Sequence, residues 1–367
     1  MSAGSPLINL LPYRPAATGL SRYVERLLAA WPGATGQPPP QQLRLRADGE
    51  AELSCALPLP GRQHARRLRW LQANALVQHA VPVGRLVNQA NPGLIYSPYT
   101  DRLLGVRDRP QVITCHDLIP LYCSNSRRAY WRSRLWLPLH LQGANRVVAI
   151  SGHVADLLVE NGLAADRIVV VPNGVEPATD PVQAPGSADV LVIARHARNK
   201  NLGAALEGFA WFLRLQPSWE GQLLLVGRPD RATPQLKRLE LELGLQGRVR
   251  WIDDLSEPEL EQQLRRSFCL LSCSLMEGFD YPLLEAQARG IPTLASRIPV
   301  HWELHREHAL FFEVGDCGAS LGGILQQLAR DSGLWQQLSQ AGPIHAQQYS
   351  VCRQVKQIAE LLASIQL

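Results

Sequence analysis

The sequence predicts an α/β protein made of two doubly wound domains facing each other across a cleft. Three observations predict it. Short runs that are apolar throughout recur along the chain, as a parallel sheet buried on both faces requires. Helix-length amphipathic segments separate these runs, which is the alternation that βαβ units produce. A stretch without periodicity and rich in Pro and small residues, Glu176–Ala188 (EPATDPVQAPGSA), divides two similar series. The 367 residues suit about two domains.

In the first half the expected strands are Leu7–Leu11, Leu94–Tyr96, Gln111–Cys115, Arg146–Ile150 and Arg167–Val171. In the second half they are Asp189–Ala194, Gln222–Val226, Val249–Ile252, Cys269–Ser272 and Pro292–Ser296. Helices are expected at Leu20–Ala30, Ala155–Glu160, Leu202–Leu215, Pro258–Arg266, Leu283–Arg289 and Val351–Leu367. The expected division is residues 1–175, a linker at 176–188, residues 189–348, and a C-terminal helix at 349–367 that packs back on the first domain. No repeat of 20–50 residues is visible, which excludes solenoids and propellers.

Composition narrows the class. Hydrophobic residues make up 46% and charged residues 19%, which excludes disorder as a reading of the whole chain. The 28 Gly and 27 Pro follow no triplet period, so collagen is excluded. No apolar run reaches the ~18–20 residues of a membrane-spanning helix. Pro6, Asn9, Pro12, Arg14 and Pro15 interrupt the first thirty residues, so no signal peptide is expected. The seven cysteines (55, 115, 123, 269, 273, 317 and 352) are scattered and form no CxxC, which suits reduced thiols in the cytoplasm. A net charge of +5 permits an anionic ligand or membrane surface and requires no nucleic acid.

The most specific stretch is Ser274–Ser296, SLMEGFDYPLLEAQARGIPTLAS. A strand ends at Ser272, a loop carries Glu277, Gly278 and Phe279, and a helix begins near Pro282 with Glu285 in its first turn. In open α/β sheets ligands sit beyond the carboxyl ends of strands, at helix N-termini. Both carboxylates therefore face one crevice, and a carboxylate is an acceptor-only group suited to paired sugar hydroxyls. The same spacing also fits a helix charge and a solvated loop residue. Arg195 follows a strand and Lys200 precedes a helix, a placement suited to a diphosphate. Gly19 stands at a loop-to-helix junction where backbone can approach a phosphate or substrate. His116 and Asp117 follow the strand Gln111–Cys115, again at a carboxyl end. No P-loop and no GxGxxG fingerprint is present, which argues against an NTPase or a dehydrogenase.

The segment Ser274–Ser296 resembles the two-glutamate motif of the family-4 retaining glycosyltransferases, also called group 1, which have the two-Rossmann-domain, or B-type, glycosyltransferase fold. Four other segments follow that family's order. Leu11–Leu28 resembles its N-terminal Gly loop and helix, and Val112–Leu121 its His-Asp strand end. Val147–Leu158 with Ile168–Glu176 resembles the end of its first domain, and Val190–Leu202 its basic loop. The resemblance covers nearly the full chain. It implies an acceptor-side first domain and a nucleotide-sugar-binding second domain. It further implies that Arg195 and Lys200 hold the donor diphosphate, Glu285 takes the ribose hydroxyls, and Glu277 sits at the donor sugar. Backbone N–H groups from Gly278 to Tyr281 help Glu277, Gly19 serves the donor phosphates or shapes the acceptor site, and His116 contacts the donor sugar. Asp117 orients His116 or meets the acceptor. In such retaining chemistry the leaving phosphate helps deprotonate the acceptor, so no separate general base is expected. No cofactor and no metal is expected, since cations and helix dipoles serve the diphosphate. Asp280 and Tyr281 stand where Gly-Leu is commoner, and Asp280 is expected to cap the helix. The FDYP wording resembles O-antigen and other polysaccharide mannosyltransferases, which makes GDP-mannose the first donor and a glycan or lipid-linked glycan the acceptor. A nucleotide-sugar epimerase on this fold and a non-catalytic glycan-binding relative are the alternatives. The second would be marked by loss of a donor-site charge, and Arg195, Lys200, Glu277 and Glu285 are all present.

Other motifs read more plainly. His301–His305, HWELH, is not HExxH and has no third ligand at a clear spacing, so it is not a zinc site. Asp253 and Asp254 precede SEPEL, where helix capping is the simpler explanation than a metal. Cys269 and Cys273 are expected to be buried thiols. Ser126–Leu141 mixes Arg127, Arg128, Arg132 and Arg134 with Tyr130, Trp131 and Trp136, which fits either an interfacial helix on anionic lipid or a core helix with a charged face. Pro138 is expected to end or kink it, and Arg62–Arg69 is a second basic run. The interfacial reading expects peripheral contact with the inner face of a membrane.

Overall fold

The computed structural model describes residues 5–13, 19–45, 50–55, 80–124 and 126–366. It divides into two compact units, one of Met1–Leu118, Trp131–Gly174 and Val351–Leu367 and one of Ile119–Tyr130 and Val175–Ser350. The basic run Arg62–Arg69 and the loop before Gly19 lie outside the described residues.

The first unit is built on strands β1 Leu7–Asn9, β2 Gln41–Leu45, β3 Ala51–Ser54, β4 Ile95–Ser97, β5 Gln111–Cys115, β6 Arg146–Ala149 and β7 Ile168–Val170. Their order is β3-β2-β1-β4-β5-β6-β7, parallel except for the antiparallel β2–β3 pair. Helices α1 Gly19–Thr35, α2 Ala80–Ala90, α3 Ile119–Tyr122, α4 Arg127–Gly143 and α5 Gly152–Glu160 accompany this half of the chain. Ser151 caps α5 by accepting from the Val154 N–H. The sequence expects Pro138 to end or kink α4; it does not end it, and the helix runs through it to Gly143. On α4 only His140 and Leu141 are buried. Trp131, Leu135, Trp136 and Leu139 are exposed, so α4 is not a core helix.

The second unit carries β8 Val190–Ile193, β9 Leu223–Val226, β10 Val249–Ile252, β11 Cys269–Ser272, β12 Thr293–Ser296 and β13 Leu310–Phe312, in the order β10-β9-β8-β11-β12-β13, all parallel. Its helices are α6 Leu202–Leu215, α7 Thr233–Glu242, α8 Glu257–Arg266, α9 Tyr281–Ala288, α10 Pro299–His305, α11 Ala319–Arg330 and α12 Ser332–Gln347. Period two explains the unbroken apolar runs. Val190, Val192, Leu223, Leu225, Cys269, Leu271 and Leu294 fill a core on one face of the sheet. Their neighbours Leu191, Leu224, Leu270 and Ala295 fill a second core on the other. Each fully buried Leu or Val contributes about 1.5–3 kcal/mol. The cap of α8 is Ser256 in a reciprocal capping box with Glu259, not Asp253 or Asp254.

The C-terminal helix α13 Val351–Gln366 belongs to the first unit, where Val355, Ile358 and Leu362 share a core with Leu27, Leu28 and Trp31 of α1. Gln354 fastens it by accepting from the Gly174 N–H at 2.9 Å. The Glu176–Ala188 stretch has no helix or strand but is tied to the second unit. The Val182 N–H donates to the Arg289 carbonyl and the Ser339 hydroxyl to the Val182 carbonyl, both at 2.9 Å.

Among the described residues no helix is long and apolar enough to cross a membrane. All seven cysteines are free thiols, with Cys269 and Cys273 buried.

Candidate functional site

The order of the second sheet reverses between β8 and β11, and at such a switch point the loops leaving the two strands part to either side and open a crevice. After β8 the chain passes an exposed Arg195, makes one 3-10 turn at Arg198–Lys200, takes a left-handed conformation at Asn201 (φ +48°) and enters α6. After β11 it loops through Cys273–Phe279, turns left-handed at Asp280 (φ +65°) and enters α9. Asn199 is buried and joins the two loops. Its carbonyl accepts from the Leu275 N–H at 2.7 Å, and its side-chain amide donates to the Met276 carbonyl at 3.3 Å and to Glu277 Oε1 at 3.4 Å.

This stitching brings Lys200 between two carboxylates. Its Nζ lies 2.6 Å from Glu277 Oε1 and 3.6 Å from Asp280 Oδ1. The Lys200 side chain is 19% exposed, Glu277 9% and Asp280 2%, so Lys200 is the most accessible of the three. Burial works against the ammonium, but Glu277 and Asp280 outweigh it and hold Lys200 protonated beyond its usual range. Arg195 is close enough to oppose that charge. Burial would raise Asp280, yet Lys200 and then His301 pull it well below the usual carboxylate range. Burial, with Asp280 adding to it, pushes Glu277 upward against the pull of Lys200. Asp280 is therefore the firmer anion of the two.

The expected capping role of Asp280 does not hold. It occupies the N-cap position of α9, but its side chain makes no capping bond. Its Oδ2 instead accepts from the Ser272 hydroxyl and from His301 Nε2, the latter at 3.0 Å. Glu285 is the fifth residue of α9, one residue past the first-turn placement expected, because the helix begins at Tyr281. It is buried at 7% exposure. Gly278 and Phe279 are also buried, and the Phe279 ring packs on Tyr281 at 5.4 Å.

The remaining expected residues belong to the first unit. Gly19 is the exposed first residue of α1. His116 and Asp117 follow β5. His116 Nε2 donates to the Pro98 carbonyl at 2.9 Å, and the Tyr23 ring meets it edge-on at 4.6 Å. Burial pushes the His116 imidazole down to about 4, so at neutral pH it is uncharged and Nδ1 is an acceptor.

Comparison with known proteins gives this arrangement its family. A model of Glycosyltransferase Family 4 matches residues 43–179, and a model of Glycosyl transferases group 1 matches residues 187–331. The chain belongs to the group 1 glycosyltransferases. Over 215 residues this glycosyltransferase is 26% identical to the O-antigen chain mannosyltransferase RfbU of Salmonella typhimurium, across 57% of this chain and 58% of that one. It is 30% identical over 158 residues to the GDP-mannose:cellobiosyl-diphosphopolyprenol alpha-mannosyltransferase of Xanthomonas campestris, across 42% of this chain and 40% of that protein. The chain thus spans about half the length of these relatives. In fold it is similar to the Anabaena HepE crystal structure with UDP and glucose, at a TM-score of 0.74 and 18% identity over 98% of this chain and 100% of that one.

Three residues of the glycosyltransferase site escape sequence reasoning. Asn199 sits inside a basic loop, where a neutral residue draws no notice. Ser272 reads as the end of an apolar strand. His301 lies in HWELH, which sequence reasoning weighs only as a metal motif. The available signal was Asp280 itself, since an acid in a loop between a buried strand and a buried helix needs partners.

Proposed function

We propose that this chain is a retaining glycosyltransferase that moves a sugar, with mannose the first candidate, from a nucleoside-diphosphate sugar to a glycan or lipid-linked glycan acceptor. The observation that carries the proposal is the Lys200 ammonium, held charged by Glu277 and Asp280 at the switch point of the second sheet. An ammonium has three N–H donors, and two face these carboxylates, which leaves the third for a phosphate oxygen. As the glycosidic C–O bond breaks, negative charge grows on the departing diphosphate. Lys200 and the exposed Arg195 meet that charge, each charge-assisted bond being worth ~1.5–3 kcal/mol. The acceptor hydroxyl passes its proton to the departing phosphate on the same face of the sugar, so a separate base has no part. Arg195 and Lys200 supply the countercharge and no metal or other cofactor is needed. Glu285 takes the ribose hydroxyls, and Glu277 with the backbone of Gly278–Tyr281 takes the donor sugar. By family resemblance, Gly19 serves the donor phosphates, His116 the donor sugar, and Asp117 the acceptor. The names of the Salmonella and Xanthomonas relatives support mannose, and the latter supports GDP-mannose and a diphosphopolyprenol-linked acceptor.

The proposed setting is the cytoplasm, with peripheral contact to the inner face of a membrane through α4. Arg128, Trp131, Arg132, Leu135, Trp136 and Leu139 recur at helical spacing and are all exposed, a basic and aromatic face suited to anionic lipid.

The test is transfer from GDP-mannose to diphosphopolyprenol-linked cellobiose and to alkyl glycosides, with the product's anomeric configuration read by NMR. An α-linked product is expected. A β-linked product would overturn retention, and an isomerised nucleotide sugar formed without acceptor would indicate an epimerase.

A further inference from the structure

Asp280 is held from three sides, by Lys200, Ser272 and His301, and His301 has been given no role so far. His301, in α10, is fully buried. Its Nε2 is 3.0 Å from Asp280 Oδ2, and its Nδ1 is 3.0 Å from the Ser296 carbonyl oxygen. The Ser296 hydroxyl is 3.3 Å from the same Nδ1, but its hydrogen is committed to the Ser274 carbonyl at 2.5 Å. A carboxylate can only accept, so Nε2 donates to Asp280, while Nδ1 lies against the Ser296 carbonyl and hydroxyl. The ring is then fixed at both ends, between the end of β12 and the Asp280 carboxylate. The opposite oxygen of that carboxylate faces Lys200. His305, one turn along α10, takes a different part. Its Nδ1 bonds Gln287 Oε1 at 2.9 Å, and burial, with His301 and His345 adding to it, pushes the imidazole well below its usual range.

We propose that His301 is a positioning residue for transfer, donating from Nε2 so that Asp280 is held against Lys200 and the ammonium stays where the donor diphosphate departs. The chain of contacts is Ser296 carbonyl, His301, Asp280, Lys200, Glu277, and each link is a hydrogen bond or ion pair with named atoms. His301 touches no substrate. It acts by denying Asp280 an alternative rotamer, and Asp280 by denying one to Lys200. The proposal rests on the transferase reading above.

The experiment is a double-mutant cycle on His301→Ala and Asp280→Asn, reading GDP release from GDP-mannose with an alkyl mannoside acceptor. His301→Ala is expected to lower kcat on the order of 10-fold, since small misplacements near the chemistry are costly, and to change donor KM by less than about 3-fold. His301→Gln, whose amide still donates to Asp280, should recover most of that loss. In the Asp280→Asn background His301→Ala should cost nothing further. A second measurement needs no variant to be active. In protein labelled with 15N-histidine, the His301 signals, assigned by their loss in His301→Gln, should show a hydrogen on Nε2. Multiplying effects of the two substitutions, or a bare Nε2 on His301, would overturn the positioning role while leaving the transferase reading intact. A wild-type protein that transfers no sugar would instead bring down the transferase reading, and this proposal with it.

Discussion

Replacing Lys200 by Ala removes the cation between two buried carboxylates. Glu277 loses a partner at 2.6 Å and Asp280 one at 3.6 Å, while Asp280 keeps Ser272 and His301. Breaking a buried pair costs ~3–5 kcal/mol when the remaining charge is stranded. Here the Lys200 side chain is 19% exposed and Glu277 can take up a proton, so the cost comes to about 2–3 kcal/mol. For a unit of this size that lowers Tm by roughly 5–10 °C. The pH dependence has a definite sign. A carboxyl whose folded pKa is raised stabilises the fold while protonated and loses that contribution as pH rises through the folded value. Glu277 is already raised by burial, and losing Lys200 raises it further. The Tm deficit of Lys200→Ala should therefore shrink as pH falls from about 8 to about 5. Transfer should slow by ~10²-fold or more from lost electrostatic stabilisation. Calorimetric melts across that pH range, together with GDP-release assays, check both. A deficit that grows as pH falls, or transfer within about 3-fold of wild type, would refute the reasoning.

Arg195→Ala should also slow transfer by ~10²-fold, and because Arg195 is exposed its Tm should stay within about 1 °C of wild type by the same calorimetry. Gly227→Ala should destabilise the second unit by roughly 1–3 kcal/mol, since Gly227 has φ +156° and a Cβ there would lie 2.0 Å from the Ala194 carbonyl oxygen. Chemical denaturation reads this loss, and an unchanged midpoint would contradict it. Trp131→Ser with Leu135→Ser should abolish flotation with anionic vesicles at low salt, and wild type that fails to float would end the membrane proposal.

Much of the fold was legible because parallel strands buried on both faces must be apolar at every position. All ten such runs became strands, Gln111–Cys115, Val249–Ile252 and Cys269–Ser272 with unchanged bounds. β2 and β3 escaped because QQLRL and AELS mix polar residues into the run, as an antiparallel pair at one side of the sheet permits. β13 has only three residues at the edge of its sheet. The site divided in the same way. Lys200 and Glu277 could be placed because their chemistry is tied to strand ends and helix starts. The part played by Asp280 could not, because it depends on where His301 falls. That residue is 21 positions away and comes into contact only through the pairing of β12 with β11.

We propose that the second unit binds a nucleoside diphosphate through Glu285 and the Lys200 cluster. The most direct test is calorimetric titration of GDP, UDP, ADP, CDP and dTDP into wild type and Glu285→Ala. Selective binding of one nucleotide is expected, GDP first, weakened at least ~10-fold by the substitution, because a charged hydrogen-bond acceptor is lost. Folded wild-type protein that binds none of the five, or equal binding by Glu285→Ala, would contradict it.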